Sequence, residues 1–173
     1  MILKDFKIWN VQCARLPSTL CLYSITKGNT AETFRFDPRN GKRAAPPEID
    51  PDCNWSLSPD GSQRAIIDLV PNQGKIRLRA TSTGEARDLI VKGWNGFQSI
   101  DWSADGKSLL VAIPGSDNRD SVLLNVTLDG RASVLLHSGN PWIGHAIPSP
   151  DRRSLAIAEI TATSNVWQLE NFW

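Results

Sequence analysis

Trp55-Ser-Leu-Ser-Pro-Asp60-Gly-Ser-Gln-Arg-Ala-Ile-Ile67 places an apolar run, a Ser-Pro-Asp-Gly turn and a second apolar run in thirteen residues. Two further copies follow, Trp102-Ser-Ala-Asp105-Gly-Lys-Ser-Leu-Leu-Val111 and Ile147-Pro-Ser-Pro-Asp151-Arg-Arg-Ser-Leu-Ala-Ile157. Each reads as a hairpin. Pro presets φ, Asp accepts a bond from the backbone N–H two residues on, and Gly takes the left-handed position that follows. Asp60, Asp105 and Asp151 stand 45 and 46 residues apart. A period of about 40 to 50 residues with strand, polar turn and strand in each unit predicts a β-propeller built of four-stranded blades.

The third copy carries Arg152 where the others have Gly. A side chain at a left-handed position costs about 1 kcal/mol, so a different turn is expected there. The repeated Asp residues invite a reading as metal ligands or acids. Their local backbone partners make them turn formers instead.

Working outward from the turns, the second unit predicts strands over Trp55 to Leu57, Arg64 to Val70, Lys75 to Thr81 and Ala86 to Val91. The third predicts Ser99 to Trp102, Ser108 to Ile113, Ser121 to Thr127 and Ala132 to His137. The first unit is less regular, with Val11 to Arg15, Thr19 to Ile25, Ala31 to Asp37 and a weak fourth strand near Arg43. The last offers Gly144 to Pro148, Ser154 to Glu159 and Asn165 to Glu170. Its outer strand is missing, and Met1 to Phe6 precedes the first blade as a spare outer strand. The expected fold is therefore all-β, one propeller domain over residues 1–173, with blades over 11–47, 53–91, 98–137 and 144–170. Strand 1–6 is expected to complete the last blade. An open fan would expose two blade faces, and at about 25 cal/mol per Å² this forfeits on the order of 10 kcal/mol. A closed four-bladed ring, a head-to-tail pair forming an eight-bladed ring, or packing on further blades of a parent chain would each cover them.

With 40% apolar and 21% charged residues, the chain has the composition of an ordinary globular domain. No run approaches the roughly 20 apolar residues of a membrane span, and the N-terminal residues do not resemble a signal peptide. This places the chain in the cytoplasm as written, while a parent protein could carry the propeller to the periplasm. Charges are interspersed apart from Arg39-Asn-Gly-Lys42-Arg43 and Arg152-Arg153, so neither nucleic acid nor a membrane is an expected partner. Cys13, Cys21 and Cys53 contain no C-x-x-C pair, which excludes a zinc or thioredoxin-like reading. Cys13 and Cys21 are expected to be neighbours across the first hairpin and, in a cytoplasmic chain, reduced.

Chemistry is sparse. His137 and His145 alone make no metal centre, and no metal or other cofactor is expected. His145 with Asp101 or Asp151 and a serine can be drawn as a triad, but no G-x-S-x-G elbow is present. No phosphate-binding glycine loop occurs either. The Ser116-Asp-Asn-Arg-Asp120 run is read as a hairpin rather than a cation loop. Seven Trp residues are many for this length. Trp55 and Trp102 read as core. Trp9, Trp94 and Trp142 fall in the connections between an outer strand and the next inner strand, where they either wedge blades together or offer a rim surface to a peptide or glycan.

The repeats resemble TolB-type, WD-repeat-like propeller blades. The order Cys13-Ala-Arg, Phe36-Asp-Pro, Asn54-Trp55-Ser-Leu-Ser-Pro-Asp-Gly, Val91-Lys-Gly-Trp94, Ser99-Ile-Asp-Trp102 and Ser164-Asn-Val-Trp167 is similar to the C-terminal propeller of large bacterial regulators. In those proteins the propeller follows a serine/threonine kinase or a winged-helix domain. The resemblance implies a non-catalytic interaction or sensing module of a larger signalling protein, with a protein or peptide partner and no transferable functional residue. Two alternatives stand beside it: the propeller part of a prolyl-oligopeptidase-like hydrolase, and a degenerate fragment without independent function.

Overall fold

The computed structural model describes residues 8–44, 46–51, 53–69, 74–115 and 119–161. Every regular element among them is a strand. Blade 1 is the antiparallel meander β1 (Ile8–Cys13), β2 (Cys21–Lys27), β3 (Thr30–Phe36) and β4 (Glu48–Pro51). Blade 2 is β5 (Cys53–Leu57), β6 (Gln63–Asp68), β7 (Lys75–Ala80) and β8 (Ala86–Ile90). Blade 3 is β9 (Ser99–Trp102), β10 (Ser108–Pro114), β11 (Ser121–Thr127) and β12 (Ala132–Ser138). Blade 4 contributes β13 (Trp142–Pro148) and β14 (Leu155–Ile160). The expected strands Met1 to Phe6 and Asn165 to Glu170 lie outside the described residues, as does most of the Ser116 to Asp120 run.

Because successive side chains of a strand point to opposite faces, a central blade strand must be apolar on both. Along β10, Leu109, Val111 and Ile113 pack on blade 2, whereas Leu110 and Ala112 pack on blade 4. Trp55, Leu57 and Ile66 of blade 2 likewise bury Leu22 and Ala31 of blade 1. Tyr23 and Phe36 turn to the other face of blade 1, where Tyr23 stacks on Phe34 and meets the edge of Phe36.

All three Ser-x-Asp turns, with Pro59, Ala104 and Pro150 in the middle, have one geometry. The hydroxyls of Ser58, Ser103 and Ser149 donate to Asp60, Asp105 and Asp151 at 2.6, 2.8 and 2.5 Å. The same carboxylates accept the N–H groups of Ser62, Lys107 and Arg153 at 3.0 to 3.1 Å. These bonds hold each Asp below the ordinary carboxylate value, the serine hydroxyl being the largest cause. Arg152 adopts φ 64°, so the third copy keeps the left-handed turn instead of changing it. Its N–H reaches Ser149 O at 3.0 Å, as Gly61 reaches Ser58 O at 2.9 Å, and that shared bond holds the backbone in place. Gly61 is doubly constrained. Its φ is +77°, and a Cβ there would meet Ala14 Cβ and Ser18 Oγ at 2.8 Å.

Two sequence expectations for blade 1 are corrected. The outer strand is Glu48–Pro51, while Arg43 makes only an isolated bridge to Phe36. The reason is a loop that folds on itself, Asp37 N–H to Lys42 O and Ala44 N–H to Arg35 O, which postpones the return of the chain to Thr30–Thr33. Cys13 and Cys21, expected as reduced thiols, form a disulfide. They are direct partners in the β1–β2 register with Cα atoms 4.1 Å apart, a separation at which the side chains of opposed residues meet.

Candidate functional site

The inner strands β1, β5, β9 and β13 do not pair with one another. Side chains join them instead. The position four residues before the first turn residue holds Asn10, Asn54 and Ser99 in successive blades. Asn10 Nδ2 donates to Trp55 O at 2.9 Å, Asn54 Nδ2 to Gln98 O at 3.3 Å, and Ser99 Oγ to Ile143 O at 3.2 Å. Gln12 Oε1 also accepts Leu57 N–H at 2.7 Å, and Asp101 Oδ2 accepts Ala146 N–H at 2.9 Å. Trp102 Nε1 returns a bond to Ser56 O at 3.0 Å. Each blade therefore reaches forward to the inner strand of the next.

The same register shows where this scheme stops. Trp55 and Ile100, one residue further along than the Asn and Ser donors, are 1% exposed because the preceding blade covers them; Val11 in blade 1 is 48% exposed. Asp101, two residues before its turn, is 7% exposed, and its counterpart Ile147 in blade 4 is 58% exposed. In blade 4 the forward donor position is His145, which is also exposed. The described residues thus form an arc of blades with a receiving face bare on β1 and a reaching face bare on β13. Val11 and Ile147 mark these faces, and Trp9, at the bulge between Ile8 and Asn10, and Trp142 are exposed as well.

Two hollows lie between the ends of the arc. One of about 460 Å³ is walled by Asn10, Gln12, Arg15, Asp101, His145 and Ile147. The other, about 500 Å³, is lined by Trp9, Asn54, Phe97, Gln98 and Trp142 without a charged side chain. Trp9 borders both.

The three tryptophans singled out by sequence do not act alike. Trp9 and Trp142 stand within β1 and β13, not in connections, and meet at one hollow. Both strands begin earlier than expected because their first residues already pair, Ile8 with Ile25 and Trp142 with Ile160. Trp94 does lie in the β8–β9 connection, half-buried against the core between blades 2 and 3. The structure does not bring it to the other two.

His145 Nδ1 lies 3.5 Å from Asp101 Oδ2. Hydrogen bonding to Asp101 raises the imidazole above its ordinary 6.5, against a smaller opposing effect of burial. The hydroxyl of Ser99 is committed to Ile143 O, and those of Ser103 and Ser149 to turn aspartates, so these serines are not poised beside His145. Val11 and Ile147 escaped the sequence reading. The available signal was an Ile where the corresponding positions of earlier blades carry Gln12, Ser56 and Asp101.

Solved structures share this architecture. TolB from Acinetobacter baumannii matches with a TM-score of 0.69 at 15% identity, over 91% of this chain and 39% of its own. The fold is that of a TolB-like β-propeller. A protein assigned as TolB from Agrobacterium tumefaciens matches this TolB-like propeller with a TM-score of 0.68 at 16% identity, over 92% of this chain and 58% of its own. A protein from Bacteroides fragilis assigned as a 6-phosphogluconolactonase gives 0.54 at 14% identity, over 87% and 47%. The TolB-like propeller therefore spans 39% to 58% of the length of the TolB chains it matches. No family model and no curated protein matches its sequence.

Proposed function

We propose that this TolB-like propeller is a non-catalytic protein-interaction module that binds through the bare ends of its arc, around Trp9, Val11, Trp142 and Ile147. The observation that carries this reading is the burial contrast: positions covered by a neighbour in blades 2 and 3 are open in blades 1 and 4. Aromatic and branched apolar side chains at the centre of a patch, flanked by polar groups, are the composition of a binding hot spot. The resemblance to regulator propellers supports a place within a larger signalling protein. To test the reading, the immobilised chain and its Trp9→Ala/Trp142→Ala variant would be compared for proteins retained from a cell extract. Partners held by the first and lost by the second are expected; identical sets would overturn the proposal.

An oxidising compartment accompanies this reading in place of the cytoplasm, supported by the Cys13–Cys21 disulfide. Thiol alkylation of the chain isolated from its source and denatured without reductant should label Cys53 alone. Labelling of all three cysteines would return the chain to a reducing compartment.

A further inference from the structure

We propose that the hollow between the inner turns of blades 3 and 4 binds a phosphate group, held by the guanidinium groups of Arg152 and Arg153. The hollow measures about 360 Å³ and is walled by Ser103, Asp105 and Ser108 of blade 3 and by Arg152, Arg153 and Ser154 of blade 4. Leu110 and Leu155, which line it as well, belong to the core between these two blades, so its walls come from a packed joint inside the chain. Charge there is unbalanced. Asp105 is the one carboxylate on the wall, and its Oδ1 already accepts the Ser103 hydroxyl at 2.8 Å and the Lys107 N–H at 3.1 Å. Arg152 approaches Asp105 Oδ2 only to 3.8 Å, beyond hydrogen-bonding reach, and Arg153 makes no ion pair among the described residues. Asp151 is spent on its own turn, with the Ser149 hydroxyl and the Arg153 N–H. From blade 1, the Arg15 guanidinium reaches the same place and donates to Ala104 O at 2.9 Å.

The equivalent hollow between blades 2 and 3 shows what is particular to this one. It measures about 230 Å³ and is walled by Asp60 and Asp105 with no cationic side chain, because Gly106 stands where blade 4 has Arg152. Arg152 keeps φ 64° in a position that the other two copies give to glycine, and strain of that kind persists where the side chain serves a function. Here it sets a guanidinium on the wall, which glycine cannot do. Ser108 and Ser154 donate their N–H groups to the hydroxyls of Ser103 and Ser149 at 3.0 Å, while their own hydroxyls make no hydrogen bond among the described residues. Two guanidinium forks and two open hydroxyls offer more donors than the two oxygens of a carboxylate can accept, and they match the three terminal oxygens of a phosphate group.

Thermal unfolding of the full chain in rising inorganic phosphate, set against potassium chloride of matched ionic strength, tests this. Phosphate is expected to raise the melting temperature beyond the effect of chloride. Arg152→Gly should lose that added rise, although glycine suits the turn better, and Arg153→Gln should weaken phosphate binding about tenfold in calorimetry. Arg39→Gln, in the basic run of blade 1, should keep both the rise and the affinity. No rise beyond chloride, a rise that Arg152→Gly retains, or an equal loss in Arg39→Gln would overturn the site. Ethyl phosphate separates the two sources of the group: tighter binding than inorganic phosphate supports a phosphoryl group on a larger molecule, and weaker binding supports the free ion.

Discussion

Arg152 is the residue at which local chemistry and fold disagree most directly. Its φ of 64° is one that side chains rarely adopt, and the neighbouring turns give that place to Gly61 and Gly106. Replacing it with Gly removes the Cβ penalty, and the exposed guanidinium gives up only a 3.8 Å approach to Asp105. Arg152→Gly should therefore stabilise the protein by about 1 kcal/mol in a denaturant titration. A destabilised variant would show that the ion pair outweighs the backbone strain. His145 makes the second prediction. Its folded value is raised by Asp101, so the bound proton favours the folded state. That contribution is fully present below 6.5 and disappears as pH rises through the higher folded value. An NMR titration should find the His145 imidazole above 6.5, and Asp101→Asn should lower it. An unchanged midpoint in that variant would remove Asp101 as the cause.

Strand β4 shows how an element is held by charge. Glu48 and Asp50 alternate on one face of β4 and meet Arg64 of β6 and Arg79 of β7 across the joint between blades 1 and 2. Arg64 Nη2 lies 2.5 Å from Asp50 and 3.1 Å from Glu48, while Arg79 Nη2 is 3.0 Å from Asp50. Arg64 and Asp50 are buried, and the Arg64 guanidinium lies 5.6 Å above the Trp55 ring. Removing Asp50 leaves the buried Arg64 guanidinium with the more exposed Glu48 as its remaining carboxylate partner among the described residues. Asp50→Ala should accordingly cost about 3 to 5 kcal/mol in thermal or denaturant unfolding, whereas Lys27→Ala, in an exposed pair with Glu32, should cost under about 1 kcal/mol. Equal effects would mean that the network contributes no more than a surface pair. Arg77 of β7 also comes within 3.8 Å of Asp50, and the alternation Glu48-x-Asp50 against Arg77-x-Arg79 was present in the sequence. Its meaning depended on a strand that begins at Glu48, five residues later than the weak fourth strand expected near Arg43.

Apart from a bond from Arg15 Nη1 of blade 1 to Ala104 O of blade 3 at 2.9 Å, the blades pack on their neighbours, so stability follows position. Blade 2 has packed cores against blades 1 and 3, and blade 3 against blades 2 and 4, whereas Val11 and Ile147 show the bare sides of blades 1 and 4. Hydrogen exchange should be slowest in β6, β7, β10 and β11 and faster in β1 and β13. Uniform protection would contradict the arc.

The repeat of Trp55 to Ile67, Trp102 to Val111 and Ile147 to Ile157 was enough to establish blade fold, blade period and the role of each turn aspartate. Those properties depend on residues a few positions apart, where dihedral preference and local hydrogen bonds dominate. Whether the inner strands close a ring, which tryptophans meet and whether Cys13 and Cys21 bond depended on the tertiary structure. Each of these is set by register across strands or blades, and a two-residue period leaves the neighbour unnamed. Val11 and Ile147 are ordinary strand residues in the chain, and only the packing of four blades leaves these two uncovered.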